Sequence, residues 1–271
     1  LRFLDGYIGG LIFEKPSTRT RVSFDVGIRQ MGGQAMTFAA QDLQLSNGEN
    51  IADTANVLSR YLDFIMIRTF DESVMLELAL HSSIPVINGL TNCSHPCQVM
   101  ADILTFEELR GSIGGKKVIW LGDGNNVCTS YIHAAAQFGF NLVVASPKEF
   151  EPDPKAIKWA NQSGTFVKFI SDPIKAIENA DLVVTDTYTS MHHQKLNPNE
   201  RFEMFRGYQV NSELMSKASK RAIFLHCLPA HRNFEVTDEV IDGPQSAVFQ
   251  GAENRMHIQK TIMKWCIKGS E

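Results

Sequence analysis

Residues 7–13 read Tyr-Ile-Gly-Gly-Leu-Ile-Phe, and Glu14-Lys15-Pro16-Ser17-Thr18-Arg19-Thr20-Arg21 follow directly. The first run is apolar and strand-sized, and Pro16 stops it because proline supplies no N–H to a ladder. Small hydroxyl residues then open a helical pattern over 18–31. A strand feeding straight into a helix is half of a crossover, the connection that parallel strands require.

Outward from this stretch the alternation repeats. Strands are expected at 34–38, 63–69 and 84–88, with helices at 49–61 and 71–81. A longer helix over 96–110 leads to Gly111-Ser112-Ile113-Gly114-Gly115, which reads as a boundary. Beyond it, strands are expected at 117–121, 142–146, 166–170, 181–187 and 222–226. Helices are expected at 126–138, 154–163, 173–180, 210–219 and 235–241, with a last one over 252–267. The fold class is therefore α/β in two domains, each a parallel sheet flanked by helices, with the active site in an interdomain cleft. One domain covers 1–110 and is completed by a C-terminal helix (252–271); the other covers 116–250.

Composition narrows the function classes. The 271 residues are 44% hydrophobic and 21% charged, the balance of a folded chain with one large core or two ordinary ones. A net charge of −4, with no basic block longer than Lys116-Lys117, gives no footprint for nucleic acid or an acidic membrane surface. No apolar run reaches the length of a membrane span. Five scattered cysteines suit a reducing compartment rather than a disulfide framework. The expected location is cytoplasmic, with the mitochondrial matrix as the alternative: no leader opens the sequence, but it begins at Leu1 rather than Met.

Ligands of parallel α/β sheets gather after the strands. After the first strand, Ser17, Thr18, Arg19 and Thr20 stand at a helix N-terminus. Free N–H groups, hydroxyls and a guanidinium there suit a phosphate; an ordinary N-cap followed by solvated basic residues is the plainer reading. The third strand ends at Arg68. His95 and Gln98 follow the fourth, and Arg255 opens the final helix. Cys227 follows the last strand of the second domain, where a buried core thiol is equally ordinary. Gly122-Asp123-Gly124-Asn125-Asn126-Val127 stands where a dinucleotide fingerprint would, but Val127 replaces its third glycine. Asn126 can bind a carboxylate and Asp186 an ammonium group, while Asp123 reads equally as a turn residue. Cys93-Ser94-His95-Pro96-Cys97 has no second cysteine pair to complete a structural zinc site, so neither metal nor cofactor is expected.

Three motifs in order, FEKPSTRTR over 13–21, HPCQ over 95–98 and HCLP over 226–229, resemble the aspartate/ornithine carbamoyltransferase family across essentially the whole chain. The resemblance implies transfer of the carbamoyl group of carbamoyl phosphate to a small amine. It makes 1–110 the carbamoyl phosphate domain and 116–250 the amino-acid domain. Ser17, Thr18, Arg19 and Thr20 would bind the phosphate. Arg68 and His95 would polarise the carbonyl, and Gln98 with the backbone at Cys227 and Leu228 would hold the NH2 group. Arg255 would close the site. Gln44 matches a loop position that reaches a neighbouring subunit, which implies a homotrimer with shared active sites.

The second domain looks like the ornithine branch, in which Asn126, Asp186, Ser190 and the backbone of Met191 grip L-ornithine. Citrulline and phosphate would be the products, and arginine metabolism the setting. Cys227, paired with Asp186, would relay the proton, so Cys227, Arg68, His95 and Asp186 form the catalytic set. Two positions depart from that branch: Tyr188 stands where Trp is usual, and His192-His193-Gln194 replaces Gly-x-Glu. Rival acceptors are putrescine, N-acylornithine and aspartate. A non-catalytic metabolite-binding protein of the same fold is the distant alternative.

Overall fold

Apolar runs bounded by Pro, Gly or polar residues become strands, and the amphipathic stretches between them become helices. The computed structural model describes residues 2–39, 41, 43, 48–165, 167–188 and 197–269. By contact density the chain divides into residues 1–97 with 253–271, and residues 98–252.

In the first unit, β1 (Ile8–Phe13), α1 (Thr18–Gln30), β2 (Gln34–Ala39), α2 (Ile51–Leu58), β3 (Phe64–Arg68), α3 (Glu72–His81) and β4 (Val86–Leu90) follow in order. All pairings are parallel and the strand order is β2-β1-β3-β4. Alternation along each strand divides its side chains between two faces. Leu11, Phe13, Phe64 and Met66 pack with Phe24 and Ile28 of α1 on one face, and Ile12, Ile65 and Ile67 pack with Ala55 and Leu78 on the other. Each such fully buried aliphatic side chain contributes roughly 1.5–3 kcal/mol of transfer free energy. The connections from β1 and β3 leave in opposite directions along the sheet, so these neighbouring strands flank a topological switch point.

α4 (Pro96–Arg110) begins at the end of this unit, but Val99, Ile103 and Phe106 pack into the core of the second. The boundary by packing therefore falls near the start of the helix, whereas the glycine-rich segment after it reads as the boundary in sequence. The second unit continues with β5 (Lys117–Leu121), α5 (Asn126–Phe138), β6 (Asn141–Ala145), α6 (Pro154–Gln162), β7 (Lys168–Phe169), α7 (Pro173–Ile177) and β8 (Leu182–Thr185). α8 (Pro198–Phe205), α9 (Ser212–Met215), β9 (Ile223–His226) and α10 (Asp238–Ile241) lead to α11 (Val248–Lys268).

The second sheet, also parallel, runs β7-β6-β5-β8-β9. Val118 and Trp120 of β5 face one core, and Ile119 and Leu121 the other. The switch point here lies between β5 and β8. No described helix is long and apolar enough to cross a membrane.

Candidate active site

The end of β1 and the end of β3 meet because the strands are register neighbours, with Phe13 opposite Arg68. Glu14 ties the two loops together: its Oε2 accepts from the Thr69 hydroxyl at 2.7 Å and from the Phe70 N–H at 2.5 Å. Ser17 is the extended N-cap of α1 and spends no side-chain hydrogen bond on the cap. Its hydroxyl and the free N–H groups of the first turn thus stand together at the positive end of the helix.

Thr20, one turn in, is buried, and its hydroxyl oxygen accepts from Arg68 Nη1 at 3.0 Å and from Arg255 Nη2 at 2.7 Å. Two guanidinium groups from elements far apart in sequence thus converge on one oxygen. His95 is buried with them. Burial first, then Arg255 and Arg68, hold its imidazole well below its ordinary pKa, so it is neutral. A neutral imidazole beside two permanent cations suits hydrogen bonding to a carbonyl, with the cations left to meet an anion. Of the sequence candidates in this unit, Ser17, Thr20, Arg68, His95 and Arg255 come together. Thr18 is exposed and Arg19 half-buried at the same helix start, and Gln44 lies outside the described residues. A cavity of about 650 Å³, lined in part by Lys15, Ser17, Arg21, Thr37, Gln41 and Arg68, opens at these strand ends.

In the second unit the loop after β5 is shaped by glycine. Gly122 has φ +123°, and a Cβ on Gly124 would lie 2.3 Å from the backbone of Pro152. Trp120 Nε1 donates to the Asp123 carbonyl at 2.9 Å and pins the turn. Asn125 then caps α5: its Oδ1 accepts from the N–H groups of Val127 and Cys128 at 2.9 and 3.1 Å, and its Nδ2 donates to Asp186 Oδ2 at 2.8 Å. The Cys227 thiol donates to the other oxygen, Asp186 Oδ1, at 2.8 Å. Asp186, Asn125 and Cys227 are thereby locked together at the switch point, with Asn126 buried alongside. Leu228 sits at φ +57°, a backbone strain of the kind that collects at functional sites, before a cis bond to Pro229. Ser190 and Met191, with His192, His193 and Gln194, lie outside the described residues.

Asp186, His226 and Cys227 offer ligand atoms within 4.8 Å of one another. The imidazole is already engaged, however. Nδ1 accepts from the Leu228 N–H at 2.9 Å, which leaves the proton on Nε2, 3.4 Å from buried Glu235 Oε1. With neither nitrogen lone pair free, the three residues fit a hydrogen-bonded cluster better than a metal centre.

Sequence reasoning left Asp123 open between turn and site and passed over Arg201. Asp123 Oδ2 accepts from Arg201 Nη2 at 2.6 Å, both side chains are buried, and the guanidinium lies over Phe150, 4.8 Å from the ring centre. The pair ties the β5 loop to α8. Asp123→Ala removes the counter-charge from a buried guanidinium and should lower unfolding free energy by about 3–5 kcal/mol in urea titrations. A loss under about 1 kcal/mol would mean that water reaches the pair.

Residues 1–108 match the carbamoyl-P binding domain of aspartate/ornithine carbamoyltransferases, and residues 114–266 match the Asp/Orn binding domain. The chain belongs to the aspartate/ornithine carbamoyltransferase family. Two curated members are 60% identical to it: the ornithine carbamoyltransferases of Ruegeria pomeroyi, over 95% of this chain and 83% of that protein, and of Roseobacter denitrificans, over 96% and 84%. The structure of ornithine carbamoyltransferase from Pyrococcus furiosus superposes with a TM-score of 0.94 at 48% identity, covering 100% of this chain and 87% of that one. Family membership also accounts for the two α/β units and their parallel sheets.

Proposed function

We propose that the chain transfers the carbamoyl group of carbamoyl phosphate to the side-chain amine of L-ornithine, releasing L-citrulline and phosphate. The observation that carries the acceptor assignment is the Asp186 carboxylate, held between the Asn125 amide and the Cys227 thiol at a strand-end switch point. It offers a fixed anion to an α-ammonium group that stays protonated while the side-chain amine reacts, whereas in aspartate the α-amine is itself the nucleophile.

In this reading Ser17, Thr18, Arg19, Thr20 and Arg255 take the phosphate, with Gln44 supplied to a neighbouring subunit's site. Arg68, His95 and the Thr20 hydroxyl face the carbonyl oxygen, while Gln98 and the backbone carbonyls of Cys227 and Leu228 take the NH2 group. Asn126, Asp186, Ser190 and the Met191 backbone hold ornithine.

Attack by the neutral amine forms an N–C bond and puts negative charge on the carbonyl oxygen. Preorganised donors at such an oxygen contribute roughly 3–4 kcal/mol each. Collapse breaks the C–O bond to phosphate, and the departing phosphate or Cys227 with Asp186 takes the amine proton. The amine titrates near ~10 in water, so desolvation in a closed site favours its reactive form.

A homotrimer with shared sites, a cytoplasmic location and a role in arginine biosynthesis complete the proposal. Exposed Val57 near the end of α2 and Tyr61 in the turn after it, with Leu76 and Leu80 on α3, support self-association through the first unit.

A panel of amines tests the acceptor. Ornithine should give the highest kcat/KM. Putrescine lacks the carboxylate for Asn126, and N-acylornithine lacks the ammonium for Asp186, so each should fall about a hundred-fold or more below it. Faster turnover of putrescine, N-acylornithine or aspartate would overturn the assignment.

A further inference from the structure

Gln98 and Asp102 are four residues apart on α4 and so share one face. Gln98 Nε2 donates to Asp102 Oδ1 at 2.9 Å, and the Tyr131 hydroxyl donates to Asp102 Oδ2 at 2.8 Å. The three side chains are 1%, 2% and 0% exposed, and Gln98 Oε1 is buried with no hydrogen-bond partner among the described residues. A glutamine amide has a donor end and an acceptor end of nearly equal shape, so its neighbours decide which way it faces. An ionised carboxylate offers acceptors only. The end against Asp102 must therefore be the NH2, and the carbonyl oxygen must point away. Burial, followed by the charge of Asp102, raises the Tyr131 hydroxyl well above its ordinary pKa, so it remains a donor to the carboxylate.

We propose that Asp102, held by Tyr131, is a positioning residue that fixes the Gln98 amide with its carbonyl oxygen toward the substrate, making the site selective for acyl phosphates that carry an N–H donor on the carbonyl carbon. This rests on the proposed role of Gln98 at carbamoyl phosphate and predicts that the site rejects acetyl phosphate. That molecule has the same phosphate and carbonyl, but a methyl group where carbamoyl phosphate has NH2. An oxygen locked in place by a buried network is satisfied by the second and orphaned by the first.

Asp102→Asn tests the device with almost no change of shape. The new amide can donate to Gln98 Oε1 and turn the Gln98 NH2 toward the substrate, donor against donor. Affinity for freshly prepared carbamoyl phosphate, read by titration calorimetry on the intact protein, should fall about thirty-fold, the scale of an unsatisfied buried group. Affinities for acetyl phosphate and inorganic phosphate should stay within about two-fold, because neither uses the carbonyl of Gln98. Tyr131→Phe keeps the ring and should shift the same ratio in the same direction by less, so the idea stays testable if Asp102→Asn folds poorly. Gln98→Glu combined with Asp102→Asn restores an acceptor facing the substrate and should recover part of the selectivity. Equal weakening of all three ligands, or an unchanged ratio of carbamoyl to acetyl phosphate in both single variants, would sink the inference. Wild-type turnover with ornithine, measured alongside, tests the proposed function separately, since selective binding without turnover fails that reading and not this one.

Discussion

Arg68→Ala is expected to lower kcat/KM for carbamoyl transfer by roughly a thousand-fold or more while the protein stays folded. Arg68 closes β3, where its backbone pairs with Phe13 and Leu90 whatever the side chain. Thr20, the buried hydroxyl that its guanidinium touches, keeps Arg255 as a second donor at 2.7 Å. The variant therefore removes a cation from the cluster without unpacking it. Both the dianionic phosphate and the developing oxyanion lose a permanent charge, so kcat should fall as well as affinity. Arg68→Lys should recover little, because an ammonium lacks the planar fork that addresses two oxygens at once.

An independent signature follows from His95. Burial, Arg255 and Arg68, in that order, depress its pKa, so taking away Arg68 must raise it. An NMR titration of the imidazole should show the shift upward, though burial and Arg255 still hold it below the ordinary value. Normal turnover by Arg68→Ala would remove this residue from the chemistry, and an unmoved imidazole would separate it from His95.

Much of this architecture is written in short-range pattern. β5 and α5 occupy the bounds expected from sequence, 117–121 and 126–138, because an apolar run and a capped amphipathic stretch each carry their own signal. The strand expected over 166–170 pairs only at Lys168 and Phe169 among the described residues, and both are exposed. An edge strand with little to bury leaves a faint pattern. The helix expected over 210–219 is the single turn Ser212–Met215, and α8 was not anticipated at all. Strand order is a different kind of information. Nothing local says that β3 lies beside β1 or β8 beside β5, yet those adjacencies place Arg68 near Thr20 and Asp186 near Asn125. The residues missed in sequence share this cause. Asn125 caps α5 locally, but its second bond reaches Asp186, 61 positions away. Asp102 had a visible partner four residues back in Gln98, whereas Tyr131 joins them only through the packing of α5 against α4.

Asp186→Asn should separate the two substrates. The carboxylate accepts on both oxygens, from Asn125 Nδ2 and from the Cys227 thiol, each at 2.8 Å. An asparagine keeps the shape but has one acceptor, so one of those donors meets an NH2 group, and the negative charge that would pair with the α-ammonium of ornithine is lost. Loss of a fixed counter-ion in a buried site costs about 2–5 kcal/mol, which sets the expected fall in kcat/KM for ornithine at roughly thirty- to several-thousand-fold. The phosphate end of carbamoyl phosphate should hardly notice, because the groups proposed to hold it belong to the first unit and its sheet. Steady-state rates with each substrate varied in turn would show this as a rise in KM for ornithine, together with a lower kcat from the disturbed Cys227. N-acylornithine, whose α-nitrogen is an uncharged amide, gives the sharper contrast: its already poor turnover should fall much less than that of ornithine, and the preference between the two amines should narrow. An equal loss for both amines would mean that Asp186 acts through Cys227 and the loop geometry alone, and that the charge recognising ornithine lies elsewhere.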